Sequence, residues 1–305
     1  MSQRALITDL DNTLYDWVGF VVPALEAMVG SLRETTGLAE AEIIRELHLA
    51  YAEEETAEYA FVLQRSGLMT TLGLEFTEFS ERIIRPAQKA FTIERNAHLK
   101  LYPGVPETLR ELKNRGVRIY GLTDAPAFPA AARLKKLGLD VYFEGLYTLE
   151  NYLPPVGPDG DFLLDPEIRE RIRRGDYEPA FGKPVELAKA YEKPSPLGIR
   201  KILFDHGLRT EEVVMVGDNP RKDLAAAAAA GVRGVHAIYG TRHEASLIAR
   251  LQKLTPGSLT ARHRATEPET APPATLVIEE FAALLRLESL GLVDSGLGSR
   301  ASGLD

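Results

Sequence analysis

The chain has 305 residues, 45% hydrophobic and 26% charged, the balance of a globular protein with one large domain or two smaller ones. It contains no cysteine, which excludes disulfides, thiolate metal sites and cysteine nucleophiles. A formal net charge of −8 and a pI near 5.4 argue against a nucleic-acid partner.

Residues 4–10 read as a buried strand, because Ala5-Leu6-Ile7 is an unbroken apolar run. It ends in Asp9-Leu10-Asp11-Asn12-Thr13-Leu14, two carboxylates two residues apart. Strand side chains alternate, so Asp9 and Asp11 start out on the same side of the chain. Paired carboxylates at the carboxyl end of a strand suit a hard cation and phosphoryl chemistry. The motif comes too early for a secretory signal, and the apolar stretch 17–25 is too short to span a bilayer. The expectation is a cytoplasmic chain with no membrane partner.

From Tyr15 to about His98 the pattern is helical, with no strong strand candidate. Residues 23–33 predict a helix with Pro23 near its start, 39–64 a second, and 77–95 a third interrupted at Pro86. The rhythm then alternates. Helices are expected over 107–115, 130–137, 195–206 and 224–230, each closed by glycine or arginine–glycine. Strands are expected over 117–122, 141–148, 213–216, 235–239 and 275–278. That alternation predicts an α/β fold, a doubly wound parallel sheet with helices on both faces, carrying an inserted all-helical block. The expected division is a core of 1–16 and 100–292 and a helical cap of 17–99. Within the core, 149–190 reads as a partly helical insertion rich in Pro, Gly and Arg. Residues 255–274 read as a flexible loop, 279–287 as a final helix and 295–305 as a frayed tail.

Asp9-x-Asp11-x-Thr13, Thr123 at a strand end, Lys193-Pro194-x-Pro196 and Gly217-Asp218-x-x-x-x-Asp223 occur in that order. Together they resemble the four motifs of the haloacid dehalogenase-like hydrolase superfamily, whose core is a Rossmann-like sheet. The resemblance covers residues 4 to about 239, and the block between the first two motifs is similar to the family's C1-type helical cap. Asp-Leu-Asp-Asn-Thr-Leu-Tyr further resembles the first motif of pyrimidine 5′-nucleotidase-like members.

The resemblance implies a catalytic set of Asp9, Asp11, Thr123 and Lys193. Asp9 would attack phosphorus, and Asp11 would protonate the leaving group and then deprotonate water. Magnesium would be held by Asp9, Asp218 and the backbone carbonyl of Asp11, with Asp223 supporting the metal or Lys193. Lys193 and the Thr123 hydroxyl would hold the equatorial oxygens. Thr13, Asp124, Tyr15 and Trp17 are the expected substrate-binding residues, Thr13 chiefly as a brace of the turn. Phe181-Gly182-Lys183-Pro184 offers a competing lysine; Lys193 is favoured because Pro196 and a helix follow it. None of the six histidines has paired ligand spacing.

The chain departs from the family pattern at Thr8, where a large apolar residue is commoner, at Asp124, where Asn is commoner, and in the 149–190 insertion. The expected activity is hydrolysis of a small phosphorylated metabolite, with a nucleoside monophosphate as first choice. A phosphomutase, a haloacid dehalogenase and a non-catalytic scaffold are the alternatives. A homo-oligomer is compatible with the sequence, which leaves that question open.

Overall fold

The computed structural model describes residues 4–56, 58–256 and 276–286. Strand β1 (Ala5–Thr8) leads into a run of helices: α1 (Trp17–Thr36), α2 (Glu40–Glu53), α3 (Val62–Arg65), α4 (Leu68–Leu72), α5 (Phe76–Phe79) and α6 (Arg85–His98). Then come α7 (Val105–Asn114), β2 (Arg118–Pro126), α8 (Ala127–Lys136), β3 (Gly145–Leu149), α9 (Pro166–Arg173), β4 (Val185–Leu187) and α10 (Leu197–His206). The chain continues through β5 (Val213–Gly217), α11 (Ala225–Ala230), β6 (Arg233–Ala237), α12 (Ala245–Leu254) and β7 (Leu276–Ile278). The strands form one seven-stranded sheet in the order β4-β3-β2-β1-β5-β6-β7. Every pairing is parallel, so the α/β fold is a Rossmann-like sheet with helices on both faces.

Both faces of the central strands are buried, which is why they are continuously apolar in sequence. Ala5 and Ile7 of β1 and Val213 and Met215 of β5 pack with Ile199, Ile202, Ala226 and Ala227. Their alternates Leu6, Val214 and Val216 pack on the opposite side with α1, α6 and α7 residues such as Leu25, Ala87 and Leu109. Thr8 breaks the apolar run without leaving a polar group unpaired: its hydroxyl donates to the Asp9 carbonyl at 2.7 Å.

The 17–99 block is helical throughout its regular elements, but its first helix starts earlier than Pro23. Asp16 caps α1 by accepting from the Gly19 amide at 2.8 Å, and Pro23 lies inside the helix. The interruption expected at Pro86 is a π-helical turn over Ser80–Ile84, which ends two residues before the proline that has no amide to donate. Chain entry and exit run side by side: Asp16 N donates to Lys100 O at 3.1 Å, and Tyr102 N to Leu14 O at 3.0 Å.

The 149–190 stretch is more than an insertion, because Val185–Leu187 joins the sheet as the edge strand beside β3. Three residues with an outward glutamate carry too little pattern to be read as a strand beforehand. Helix α12 was not anticipated; it packs against α1. The final helix is a 3₁₀ segment, Phe281–Arg286. Of the expected 255–274 loop only residues 255 and 256 are among the described residues, and the 295–305 tail lies outside them.

Candidate active site

The site lies beyond the carboxyl ends of β1, β2 and β5, where an open parallel sheet gathers ligands. Asp9 leaves β1 with its amide donating to Val216 O at 2.9 Å, so the chain is still tied to β5 where the carboxylate emerges. Asn12 then takes the left-handed conformation, φ 57°, which asparagine tolerates better than most residues. Its Oδ1 accepts from Trp17 N at 3.1 Å, so the turn after Asp9 and the start of α1 are one unit. The loop after β6 clamps this turn: Tyr239 donates to the Thr13 carbonyl at 2.7 Å.

Lys193 is the hub. Its Nζ lies 2.6 Å from Asp9 Oδ1 and 2.6 Å from Asp223 Oδ1, with all three side chains buried. Burial alone would drive the lysine down, but Asp223, Asp9 and Asp124 outweigh it and hold the ammonium well above its ordinary pKa. Lys183 is exposed on the surface, 3.9 Å from Glu178, so Lys193 is the lysine at the site. Asp223 reaches back under Gly217, where a Cβ would come within 2.3 Å of the Asp223 carboxyl carbon; only glycine leaves that room. Asp223 also accepts from Asn219 N at 3.0 Å, which fixes its second oxygen.

Asp9, Asp218 and Asp223 offer oxygens that all lie within 4.8 Å of one another. Burial, reinforced by Asp223 and Asp9, holds Asp218 well above the usual carboxylate range. Burial also raises Asp9, opposed by Lys193 and helped by Asp223 and Asp11. His236 Nε2 donates to the Asp218 backbone carbonyl at 3.0 Å.

A cavity of about 280 Å³ opens over these groups. Asp9, Asp11, Thr123, Asp124, Lys193, Asp218 and Asp223 all line it. The Thr123 hydroxyl accepts from the Ala125 amide at 3.1 Å, within the stretch where the register of β2 against β3 shifts. Asp124 adds less acidity than its side chain suggests. It accepts from Lys193 N at 3.0 Å and pairs with Lys222 Nζ at 2.8 Å. Burial pushes its pKa up, yet the two lysines more than offset that and hold it below the ordinary value.

Three expected substrate-binding residues sit elsewhere. Thr13, Tyr15 and Trp17 are buried behind the cavity and are not among its lining residues. The Thr13 hydroxyl lies 3.4 Å from Asp9 Oδ2 and 3.5 Å from Asp218 Oδ1, a brace between carboxylates. Trp17 donates from Nε1 to Glu58. The Tyr15 ring lies 5.8 Å from the Arg133 guanidinium. The carboxylate of Asp11 is also outside the acidic trio; its Oδ2 faces Arg133 at 3.4 Å, which leaves its backbone carbonyl as the route by which it would serve a metal. Burial and Glu58, against the pull of Arg133, raise Asp11 to about 6.

Arg133, Glu58 and Lys222 were not anticipated. Lys222 carried a signal in Arg221-Lys222-Asp223, next to a motif aspartate. Arg133 carried only a weak one, a lone arginine near the buried alanine face of α8. Among the described residues no helix is long and apolar enough to cross a membrane.

Comparison with known proteins agrees with this geometry. The chain matches the haloacid dehalogenase-like hydrolase family over residues 3–231. Phosphoglycolate phosphatase 1 of Pseudomonas aeruginosa is 28% identical over 245 residues, spanning 79% of this chain and 71% of that protein. Phosphoserine phosphatase of Thermus thermophilus is 28% identical over 259 residues, spanning 79% and 91%. Among solved structures, a 2-haloacid dehalogenase from Pseudomonas syringae pv. tomato shares the fold with a TM-score of 0.55 at 17% identity, covering 93% of this chain and 96% of its own. The family match takes in Asp9, Asp11, Thr123, Lys193, Asp218 and Asp223, which the folded sheet gathers around one cavity, and the protein belongs to the haloacid dehalogenase-like hydrolase family.

Proposed function

We propose that this hydrolase is a magnesium-dependent phosphatase that cleaves a small phosphomonoester by way of a phosphoryl group carried on Asp9. The observation that carries the reading is the pairing of Asp9 Oδ1 with buried Lys193 Nζ at 2.6 Å, on a cavity wall that Asp11 shares. Phosphatase relatives support a phosphomonoester as the substrate class.

The acidic trio fits magnesium. Its donors are hard carboxylate oxygens, gathered within 4.8 Å, with Lys193 as the cation among them. Asp9 and Asp218, with the Asp11 carbonyl, would hold the ion, and Asp223 would orient Lys193. When bound, the ion supplies positive charge against the phosphoryl oxygens and lowers the repulsion that an anionic nucleophile meets.

The chain's own residues carry the chemistry. A carboxylate oxygen of Asp9 forms a bond to phosphorus as the ester P–O bond breaks, and Asp11 gives its proton to the departing oxygen. Lys193 and the Thr123 loop hold the equatorial oxygens. Water then attacks phosphorus, Asp11 takes the water proton, and the P–O bond to Asp9 breaks to release phosphate. Asp11 disfavours the dehalogenase alternative, because a halide leaves without a proton. Every motif acid and the motif lysine is retained, which disfavours a scaffold.

The cavity volume of about 280 Å³ supports a compact leaving group of the size named for the relatives. A nucleoside monophosphate stays in the substrate panel, because an aromatic residue, Tyr152, lines the same cavity. The test is phosphate release from 4-nitrophenyl phosphate and such a panel, with and without magnesium, for the parent and Asp9→Asn. The variant is expected to fold and to lose at least about 10³-fold in kcat. A folded Asp9→Asn protein that keeps its activity overturns the reading, as does a parent that acts only when a sugar hydroxyl accepts the phosphoryl group.

A further inference from the structure

Arg133 lies outside the motifs and outside the cavity lining, yet it is 6% exposed and ties the catalytic loop to the helical block. Its Nη1 donates to Glu58 Oε1 at 3.0 Å and its Nη2 to Glu58 Oε2 at 3.1 Å, a two-pronged pair. Nη2 also reaches Asp11 Oδ2 at 3.4 Å. The rings of Tyr15 and Phe20 each have their centroid 5.8 Å from the guanidinium carbon and lie 6.4 Å from each other, so an aromatic pair walls it on one side.

The three charged groups come from three parts of the chain. Asp11 follows β1, Arg133 belongs to α8, and Glu58 lies between α2 and α3 in the block. Only a guanidinium offers a rigid fork that serves two carboxylates at once. The Asp11 contact is the longest of the three, so the orientation of the fork is set by Glu58 and passed on to Asp11. Trp17 Nε1 donates to the same Glu58, which joins the start of α1 to the arrangement.

We propose that Arg133 is a positioning residue for proton transfer at Asp11, and that Glu58 of the helical block aims it, so that docking of the block and readiness of the proton donor are one event. This rests on the reading of Asp11 as proton donor given above. Glu58 and Arg133 act through Asp11 and do not touch the reacting atoms. Their loss therefore harms substrates in proportion to how much the departing oxygen needs a proton.

The test compares the parent, Asp11→Asn, Glu58→Gln, Arg133→Gln and the Glu58→Gln/Arg133→Gln double variant on two substrates. One is 4-nitrophenyl phosphate, whose leaving group departs unprotonated; the other is an alkyl phosphate that the parent turns over. Glu58→Gln and Arg133→Gln are expected to lose about 10²-fold in kcat on the alkyl phosphate and to keep most of their rate on the aryl phosphate. The double variant is expected to match Arg133→Gln. Trp17 is the one tryptophan of the chain, so a shifted emission in Glu58→Gln reports the broken contact without any assay of activity. If Arg133→Gln does not fold, Glu58→Gln carries the comparison, since its side chain stands at the cavity wall. Equal losses on both substrates, no loss, or losses that simply multiply in the double variant overturn the inference. When the parent is active and Asp11→Asn shows the leaving-group dependence, such results count against Arg133 alone. A parent that releases phosphate from neither 4-nitrophenyl phosphate nor any alkyl phosphate of the panel defeats the phosphatase reading, and this inference falls with it.

Discussion

Asp9 and Asp11 are two residues apart in sequence, but their carboxylates face different cations. Asp9 meets an ammonium with another carboxylate behind it, and Asp11 meets a guanidinium already engaged by Glu58. A pH dependence follows. Burial first, then Glu58, raises Asp11 to about 6, so its proton is retained below that pH and lost above it. A carboxyl raised in the fold stabilises the native state relative to the unfolded chain at low pH, and that contribution disappears as pH climbs through about 6. For catalysis the sign is the same: kcat/KM on an alkyl phosphate is expected to fall as pH rises past that value, and the fall is expected to be shallow on 4-nitrophenyl phosphate. A pH–rate profile on each substrate checks this; identical alkaline limbs would refute it. Asp9, Thr123 and Asp218 were legible because they stand at the ends of apolar runs in a fixed order, and Lys193 because Pro196 and a helix follow it. Arg133 and Glu58 were not, because each gets its role from a partner 75 positions away, a relation that only the folded chain creates.

At the level of elements, the buried strands announce themselves and the edge does not. Ala5-Leu6-Ile7 and the 213–216 run are apolar on both faces because helices cover both. β4 lies at the sheet edge and has Glu186 between its two apolar residues, so it reads as loop. The alanine run of α11 is a packing device: Ala226, Ala227 and Ala230 are buried, and Ala227 faces Gly234 of β6 closely enough that a Cβ there would sit 3.6 Å from its own. Small residues on both sides let helix and strand approach. Ala227→Leu is expected to overpack this contact and to lower stability by about 1–3 kcal/mol, seen as a reduced urea midpoint at unchanged slope. Ala228→Leu on the exposed side is the control and is expected to leave the midpoint in place. Helix α1 shows how tertiary structure overrides local rules, since Pro23 is held inside it by the packing of Trp17, Phe20 and Leu25.

Across the whole molecule, the helical block is fastened to the sheet core and to the 149–190 stretch. Tyr59 donates to the Leu153 carbonyl at 3.0 Å, and Arg85 pairs with Asp165 at 2.6 Å. The stretch was legible as unusual from its Pro, Gly and Arg content, but its bracing of the block rests on pairs that no local pattern encodes. The fold gathers Asp9, Asp218 and Asp223, far apart in sequence, into one buried trio, so the proposed magnesium site exists only in the folded state. Magnesium added to chelator-treated protein is therefore expected to raise the melting temperature, by a stabilisation of about 2.7 kcal/mol when the ion is at a hundredfold excess over Kd. Asp218→Asn is expected to remove most of that rise. Scanning fluorimetry with and without magnesium measures it, and an equal rise in the variant would place the ion elsewhere.

The position of β1 in the sheet also sets a schedule for making the protein. It precedes every other strand of the sheet in sequence, yet it is the central one. Ala5 pairs with Arg118 on one side and with Val213 on the other. The strand that leads into Asp9 is thus made before both of its neighbours, and the loop closures it needs are the longest among the described strand pairings. No early fragment of the chain can display the assembled cluster, because Asp218 and Asp223 arrive only after the later neighbour. The reactive centre is therefore finished late, when the sheet around it is already being completed.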